Sequence, residues 1–265
     1  MQELLGVYAQ LGDYYFMNKS VVIIPTYNER HNISRLLEKI AALKSGLDII
    51  VADDGSPDGT ADAVKDFAAK NPSENVFLVS RPSKAGLGSA YLNAFDWVKS
   101  SGRFYEKIFM MDADFSHDPV YLGRLSEALT SSSGKSSADM AVGSRYVPGG
   151  GIEGWPFLRK LVSGAGNFYA RLILGGVRPG RYGVRDFTSG FIGMKRDVLF
   201  FILENPPRSE GYGFLIEIKF KVLKNGFSVR EIPIIFTDRV AGKSKISKKI
   251  IWEAFRLVWR LRFAG

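Results

Sequence analysis

Asp112 and Asp114 stand one residue apart at the end of the apolar run Phe109-Met110-Met111. Two carboxylates this close make a poor core and a good site for a hard divalent cation. Mg²⁺ takes one or two carboxylates and completes its shell with substrate phosphates. The competing reading is a polar turn, because Asp-x-Asp is a common loop sequence. Ser116-His117-Asp118-Pro119 follows, and Tyr121 to Leu129 has helical spacing. The pair therefore sits where a buried strand runs into a loop, and ligands of open α/β sheets bind at such strand ends.

The elements that must position these groups are legible upstream. Val21-Val22-Ile23-Ile24 reads as a buried parallel strand running into Pro25-Thr26-Tyr27-Asn28-Glu29. Asn32 to Leu43 has the helix period, with Ile33, Leu36, Leu37 and Ile40 on one face. Asp48 to Ala52 is a second strand ending in Asp53-Asp54-Gly55-Ser56-Pro57-Asp58-Gly59-Thr60, and a helix follows through Ala68. Asn75 to Ser80 reads as a third strand. Arg81 to Gly88 is a loop holding Lys84, Ser89 to Lys99 a helix, and Lys107 to Met111 the strand before the carboxylates. Strand and helix alternate over residues 20–130, which predicts a doubly wound parallel sheet. Tyr27, Glu29, Asp53, Asp54, Lys84, Asp112 and Asp114 all fall at the C-terminal ends of its strands.

Downstream, Met140 to Val142 is a strand running into Gly143-Ser144-Arg145-Tyr146, and Gly149-Gly150-Gly151 opens a flexible segment. Leu158 to Leu174 reads as a helix. Ile192 to Met194 is a strand after the loop Asp186 to Phe191, Gly211 to Leu223 a helix containing Glu217, and Val229 to Phe236 a strand. Arg239 to Lys245 forms a basic loop. Ile246 to Phe263 is a basic amphipathic helix, suited equally to a membrane interface or to docking on its own domain.

Composition narrows the chemistry. The chain has no cysteine, so thiolate metal sites, thiol nucleophiles and disulfides are excluded. His31 and His117 are its only histidines, which leaves little room for a histidine-based zinc site. A net charge of +9 favours an anionic partner: nucleic acid, membrane or phosphorylated substrate. No apolar run reaches the ~20 residues of a spanning helix. The N-terminus carries Glu3 and Asp13 and lacks the basic start of a signal peptide. No internal repeat and no second domain are visible, and no nucleic-acid recognition motif is present.

Taken in order, Pro25-Thr26-Tyr27-Asn28-Glu29, Asp53 to Thr60, Lys84-Ala85-Gly86-Leu87-Gly88-Ser89-Ala90-Tyr91 and Asp112-Ala113-Asp114 resemble the family-2 inverting glycosyltransferases. Gly143 to Tyr146, Trp155-Pro156, Arg159 to Ser163, Thr188 to Phe191, Gly211 to Phe214 and Arg239-x-x-Gly242-x-Ser244-Lys245 narrow it to the dolichol-phosphate mannose synthases. The likeness covers roughly residues 20–246. It implies a Rossmann-like single domain of the glycosyltransferase A type, with a mostly parallel central sheet flanked by helices. It divides the chain into an N-terminal extension (1–19), a catalytic domain (20–246) and the C-terminal helix (247–265).

The resemblance also implies the reaction and its parts. Mannose would pass from GDP-mannose to dolichyl phosphate with inversion, giving the lipid-linked mannose donor for glycosylation and GPI anchor synthesis. The place would be the cytoplasmic face of the endoplasmic reticulum membrane. Pro25, Tyr27, Glu29, Asp53, Asp54, Lys84, Asp112 and Ala113 would line the nucleotide pocket, closed by Arg239 and Lys245. Asp112 and Asp114 would hold Mg²⁺ or Mn²⁺, and Arg145, Arg159 and Ser163 the acceptor phosphate. Asp114, Arg145 and Glu217 are the expected catalytic set, with Glu217 in a positioning role. The chain ends soon after the basic loop, which implies small membrane-anchoring subunits and peripheral membrane contact. A polyprenyl-phosphate transferase using a UDP-sugar, or a non-catalytic sugar-nucleotide-binding subunit, is the rival reading. Ser116 and Ala85 depart from the usual Gln and Arg.

Overall fold

The computed structural model describes residues 19–130, 136–175, 183–238 and 248–264. Residues 1–18 of the N-terminal extension and the basic loop with Arg239 and Lys245 lie outside them.

Seven strands form the main sheet: β1 (Ser20–Thr26), β2 (Asp48–Asp53), β3 (Val76–Ser80), β4 (Lys107–Met110), β5 (Met140–Ser144), β7 (Ile192–Lys195) and β8 (Val229–Pro233). Their order is β3-β2-β1-β4-β7-β5-β8. β7 runs antiparallel to β4 and β5, and every other pair is parallel. This is the mostly parallel sheet that the alternating pattern predicts. Val21, Val22, Ile23 and Ile24 are all 0% exposed. Each is worth roughly 1.5–3 kcal/mol of burial, and β2 and β4 on either side are buried along their whole length as well.

Alternation splits the core. Val22 and Ile24 pack under α1 (Arg30–Ala41), α2 (Thr60–Lys70) and α4 (Leu122–Leu129). Val21 and Ile23 pack under α3 (Leu87–Ser100), α6 (Arg196–Glu204) and α7 (Tyr212–Lys224). A third cluster joins α5 (Phe157–Gly175) to α7 and α8 (Lys248–Ala264) through Leu174, Phe220 and Leu257.

Three sequence expectations change. The strand over Val229 to Phe236 is two: Pro233 ends β8, and β9 (Ile235–Phe236) leaves the sheet to pair with β6 (Gly151–Ile152). Proline has no N–H to continue a ladder. The glycine run before β6 is a close approach rather than a flexible segment, since a Cβ at Gly150 would stand 2.5 Å from the Ser144 carbonyl oxygen. Helix α6 was not anticipated, because the apolar run Val198 to Leu203 fits strand and helix equally.

Topology places the chemistry. β4 and β5 point the same way on either side of β7. Asp112 and Arg145 therefore follow neighbouring C-terminal ends, and the loop entering β7 lies between them.

Candidate active site

The Asp112–Asp114 turn is built tightly. Asp114 is buried, and its Oδ1 accepts from the Ser116 amide at 3.1 Å and the Ser116 hydroxyl at 2.6 Å. Ser116 thus spends its hydroxyl on orienting Asp114, which accounts for a short residue where a Gln is usual. His117 Nδ1 accepts from the Asp112 amide at 3.1 Å, and its ring stacks on Phe191 at 4.9 Å. Burial keeps His117 below its ordinary pKa against the pull of Asp112 and Asp114. A neutral imidazole that accepts at Nδ1 carries its proton on Nε2. Phe115 sits at φ +63°, a left-handed conformation that costs a bulky residue free energy. Its carbonyl accepts from Thr237 Oγ1 at 3.2 Å, which helps hold the strained turn.

Among the residues expected at the nucleotide pocket, Asp53 accepts from Thr26 Oγ1 at 2.9 Å and from the Ser56 amide and hydroxyl at 3.0 and 2.6 Å. It clamps the end of β2 to the end of β1, where Pro25 is half-buried. Asp54 accepts from Arg81 Nε at 2.6 Å and from the Ala85 amide at 3.3 Å. Arg81 also reaches the Ser89 hydroxyl and the Gly86 carbonyl. Sequence reasoning missed this arginine; a cation immediately after β3, opposite the Asp53-Asp54 strand end, was the available signal. Lys84 stands 4.1 Å over the Tyr27 ring, and Glu29 accepts from Asn32 Nδ2 at 2.8 Å. Ala113 is buried between the two carboxylates.

The residues that the resemblance assigns to the acceptor phosphate lie near one another. Arg145 is buried and forks onto Asp186, with Nε to Oδ2 and Nη2 to Oδ1 both at 2.7 Å, and it reaches Thr188 Oγ1 at 2.7 Å. Charge-assisted bidentate pairs of this kind fix a guanidinium in one plane. Arg159 bonds Asp238 at 2.9 Å and lies 3.8 Å over the Trp155 ring. Arg145 lies 5.8 Å from the same ring, so one indole lies beside both arginines. Ser163 Oγ accepts from Tyr146 at 2.8 Å. The Asp186 carboxyl is held low: burial would raise it, but the charge and hydrogen bonds of Arg145 prevail.

Two residues of α7 anchor the surrounding loops. Glu217 is buried, and its oxygens accept from the Arg208 and Ser209 amides at 3.1 Å while Lys221 pairs with it at 3.2 Å. Glu217, expected in a positioning role, thus ties down the loop before α7 through those two amides. Lys219, which the sequence does not single out, is fully buried. Its ammonium donates to the Phe187, Ser189 and Leu215 carbonyls at 3.0, 2.6 and 3.3 Å. It supports from below the loop whose other residues meet Arg145.

Burial pushes Lys219 down to about 7, with Asp186 and Glu231 drawing it partly back. A folded lysine below its unfolded value of 10.5 binds fewer protons than the unfolded chain between those two pH values. Stability from this group therefore rises as pH increases through that window. Urea unfolding should show wild type gaining more than about 1 kcal/mol between pH 7 and 9 relative to Lys219→Met. Parallel pH curves for the two proteins would contradict it.

The donor set fits a hard cation. Asp112 and Asp114 offer carboxylate oxygens, and among the described residues no three acidic or histidine groups converge on a metal position. Such a cation would take the rest of its shell from water and substrate phosphate. The profile described as Glycosyl transferase family 2 matches residues 21–200, which spans β1 through most of α6. The chain belongs to glycosyl transferase family 2.

Relatives of this glycosyltransferase are close enough to align along nearly its whole length. It is 42% identical over 246 residues to the polyprenol monophosphomannose synthase of Mycolicibacterium smegmatis, covering 92% of this chain and 88% of that one. It is 39% identical to the undecaprenyl-phosphate mannosyltransferase of Micrococcus luteus, covering 92% and 94%. It is 37% identical to the dolichol-phosphate mannosyltransferase of Pyrococcus furiosus, covering 92% of this chain and 63% of the longer relative. Among solved structures, glucosyl-3-phosphoglycerate synthase from Mycobacterium tuberculosis, bound to Mn²⁺, UDP and glucosyl-3-phosphoglycerate, superposes with a TM-score of 0.64 at 18% identity, covering 93% of this chain and 79% of that one. A mannosyltransferase from Pyrobaculum calidifontis with GDP-Man and Mn²⁺ gives 0.57 at 16%, covering 93% and 70%. These two likenesses establish the shared fold.

Proposed function

We propose that this glycosyltransferase moves mannose from GDP-mannose to a polyprenyl phosphate, with inversion at the sugar's first carbon. The observation that carries the reading is the pairing of two clusters at one sheet edge. A carboxylate pair sits at the end of β4, and two arginines gathered around Trp155 sit beyond β5. Dolichyl phosphate is the acceptor the family resemblance implies. Relatives from two bacteria and an archaeon widen the class to polyprenyl phosphates. The endoplasmic-reticulum assignment stands or falls with the dolichyl form.

An oxygen of the acceptor phosphate forms the new bond to the anomeric carbon. The bond from that carbon to GDP breaks, and its electron pair leaves on the diphosphate. Mg²⁺ or Mn²⁺ held by Asp112 and Asp114 supplies positive charge for that leaving group when bound. The nucleophile is already an anion, so no carboxylate base is required, in keeping with Glu217 being spent on backbone amides. Arg145 and Arg159 orient the acceptor phosphate, and proximity and fixed charge provide the rate. Lys84 and Tyr27 belong to the donor side. Arg239 and Lys245 close it in this reading.

The lipid would arrive across α5. Phe157, Leu158, Leu161 and Phe168 are 81%, 69%, 56% and 64% exposed on the helix that carries Arg159 and Ser163. Phe255 of α8 stacks on Tyr169 at 4.6 Å, and Phe263 stands exposed on the same helix. Apolar exposure of this extent marks a membrane or protein contact, and the charge of +9 suits an anionic bilayer. Among the described residues no helix is long and apolar enough to cross a membrane. Small membrane-anchoring subunits, if present, would meet this same face.

The test incubates purified chain with Mg²⁺ or Mn²⁺, polyprenyl phosphate and labelled GDP-mannose, UDP-glucose or UDP-N-acetylglucosamine. Label should enter the organic phase from GDP-mannose alone, and chelation should abolish it. Transfer from a UDP-sugar, or from none, would overturn the donor assignment.

A further inference from the structure

Buried polar side-chain atoms that lack a hydrogen-bond partner among the described residues are Ser20 Oγ, Tyr91 Oη, Trp155 Nε1 and Arg159 Nε. Native proteins leave few such atoms, and each calls for a cause such as an absent ligand. Two of the four belong to residues in direct contact, since the Arg159 guanidinium lies 3.8 Å over the Trp155 ring.

Both atoms are obligate donors. An indole N–H and a guanidinium Nε–H can be satisfied only by an acceptor. Trp155 is 8% exposed, so bulk water does not serve it. Its surroundings select the acceptor's charge, because a second guanidinium, that of Arg145, stands 5.8 Å from the ring. Asp238, the nearby anion, is already bonded to Arg159 Nη1 at 2.9 Å rather than to Nε. The indole is also held in place. Phe236 packs edge-on at 5.4 Å. The preceding Gly154 has φ +76° and no room for a side chain beside Asp238. Two buried donors without an acceptor, one of them on a guanidinium and both beside the Arg145 guanidinium, have the chemistry of an oxyanion site.

We propose that Trp155 Nε1–H, together with Arg159 Nε–H, donates to an oxygen of the lipid acceptor's phosphate, making Trp155 a substrate-binding residue. This deepens the proposed function and rests on it for the identity of the acceptor, though not for the presence of an oxyanion.

The chain has four tryptophans, so its ¹⁵N-indole spectrum is simple, and Trp155→Phe assigns the peak by its disappearance. Farnesyl phosphate, a short polyprenyl phosphate, should shift that peak downfield, and farnesol should leave it in place. Inorganic phosphate should shift it only at much higher concentration. An unmoved peak at saturating farnesyl phosphate, with binding confirmed by calorimetry, overturns the proposal. So does an equal shift with farnesol, and equal affinity for inorganic phosphate overturns the lipid assignment. Trp155→Phe keeps the ring, so it should raise the acceptor KM about tenfold while leaving GDP affinity unchanged. An unchanged acceptor KM counts against the proposal. A shifted peak in a protein that transfers no mannose would leave the oxyanion site standing and sink the proposed function instead.

Discussion

Asp114→Asn lowers sugar transfer by about 10³-fold, because one ligand of the cation that would neutralise the leaving diphosphate is lost and such charge stabilisation is worth several kcal/mol. The fold survives the change. An asparagine oxygen still accepts from the Ser116 amide and hydroxyl that now hold Oδ1 at 3.1 and 2.6 Å. The thermal midpoint should stay within about 3 °C of wild type, since the substitution keeps the side chain's size and its accepting oxygen at this buried position. Steady-state transfer and a melting curve on the same preparation check both halves. Activity within tenfold of wild type would remove the carboxylate pair from the mechanism.

Asp186→Ala has the largest expected effect on stability. Asp186 is 0% exposed and takes both forks of a buried arginine, and Asp186 and Lys219 lie close enough to interact electrostatically. Removing it takes the bidentate carboxylate from buried Arg145, and breaking a buried pair from one side costs about 3–5 kcal/mol. That is a large share of a total near 5–15 kcal/mol. It should lower the melting midpoint by about 10 °C, with transfer falling as Arg145 loses its orientation. The wild-type contribution has a defined pH sense. Asp186 titrates below its ordinary 3.8, so its stabilisation is full above that value and is lost as pH falls through the folded value. Asp186→Ala should therefore lack the acid-dependent part of the wild-type stability loss. A midpoint within about 2 °C of wild type would show that the pair contributes little.

The two predictions fall on opposite sides of what the sequence makes readable. Asp114 is legible because its signal is local. A strand buried on both faces reads as an unbroken apolar run, so a polar pair at its end stands out. The same logic locates Asp53, Asp54, Tyr27 and Lys84 at strand ends, and the sheet itself. Arg145 is also visible as a residue following β5. Its partner is not, because Asp186 lies 41 positions away and the pairing exists only once β7 has slotted between β4 and β5. Lys219 is harder still. One lysine in Phe214-Leu215-Ile216-Glu217-Ile218-Lys219-Phe220 looks like an ordinary polar position, and only the three carbonyls above it turn it into a core residue. Glu217 is visible only as a carboxylate on a helix, and its partners, the amides of Arg208 and Ser209, come from a loop whose approach the sequence does not show. Pro233 was visible, but that it would send Ile235 and Phe236 to a separate ladder depended on β6 lying close by.

The account's central claim is that Asp112 and Asp114 join donor diphosphate to protein through a divalent cation. Calorimetric titration of GDP into the chain with Mn²⁺, and again with chelator, tests it most directly. Binding should be at least tenfold tighter with the cation, and Asp114→Asn should erase that difference while the weak, cation-free binding persists. Equal GDP affinity in both buffers, or a cation dependence that survives in Asp114→Asn, would contradict it.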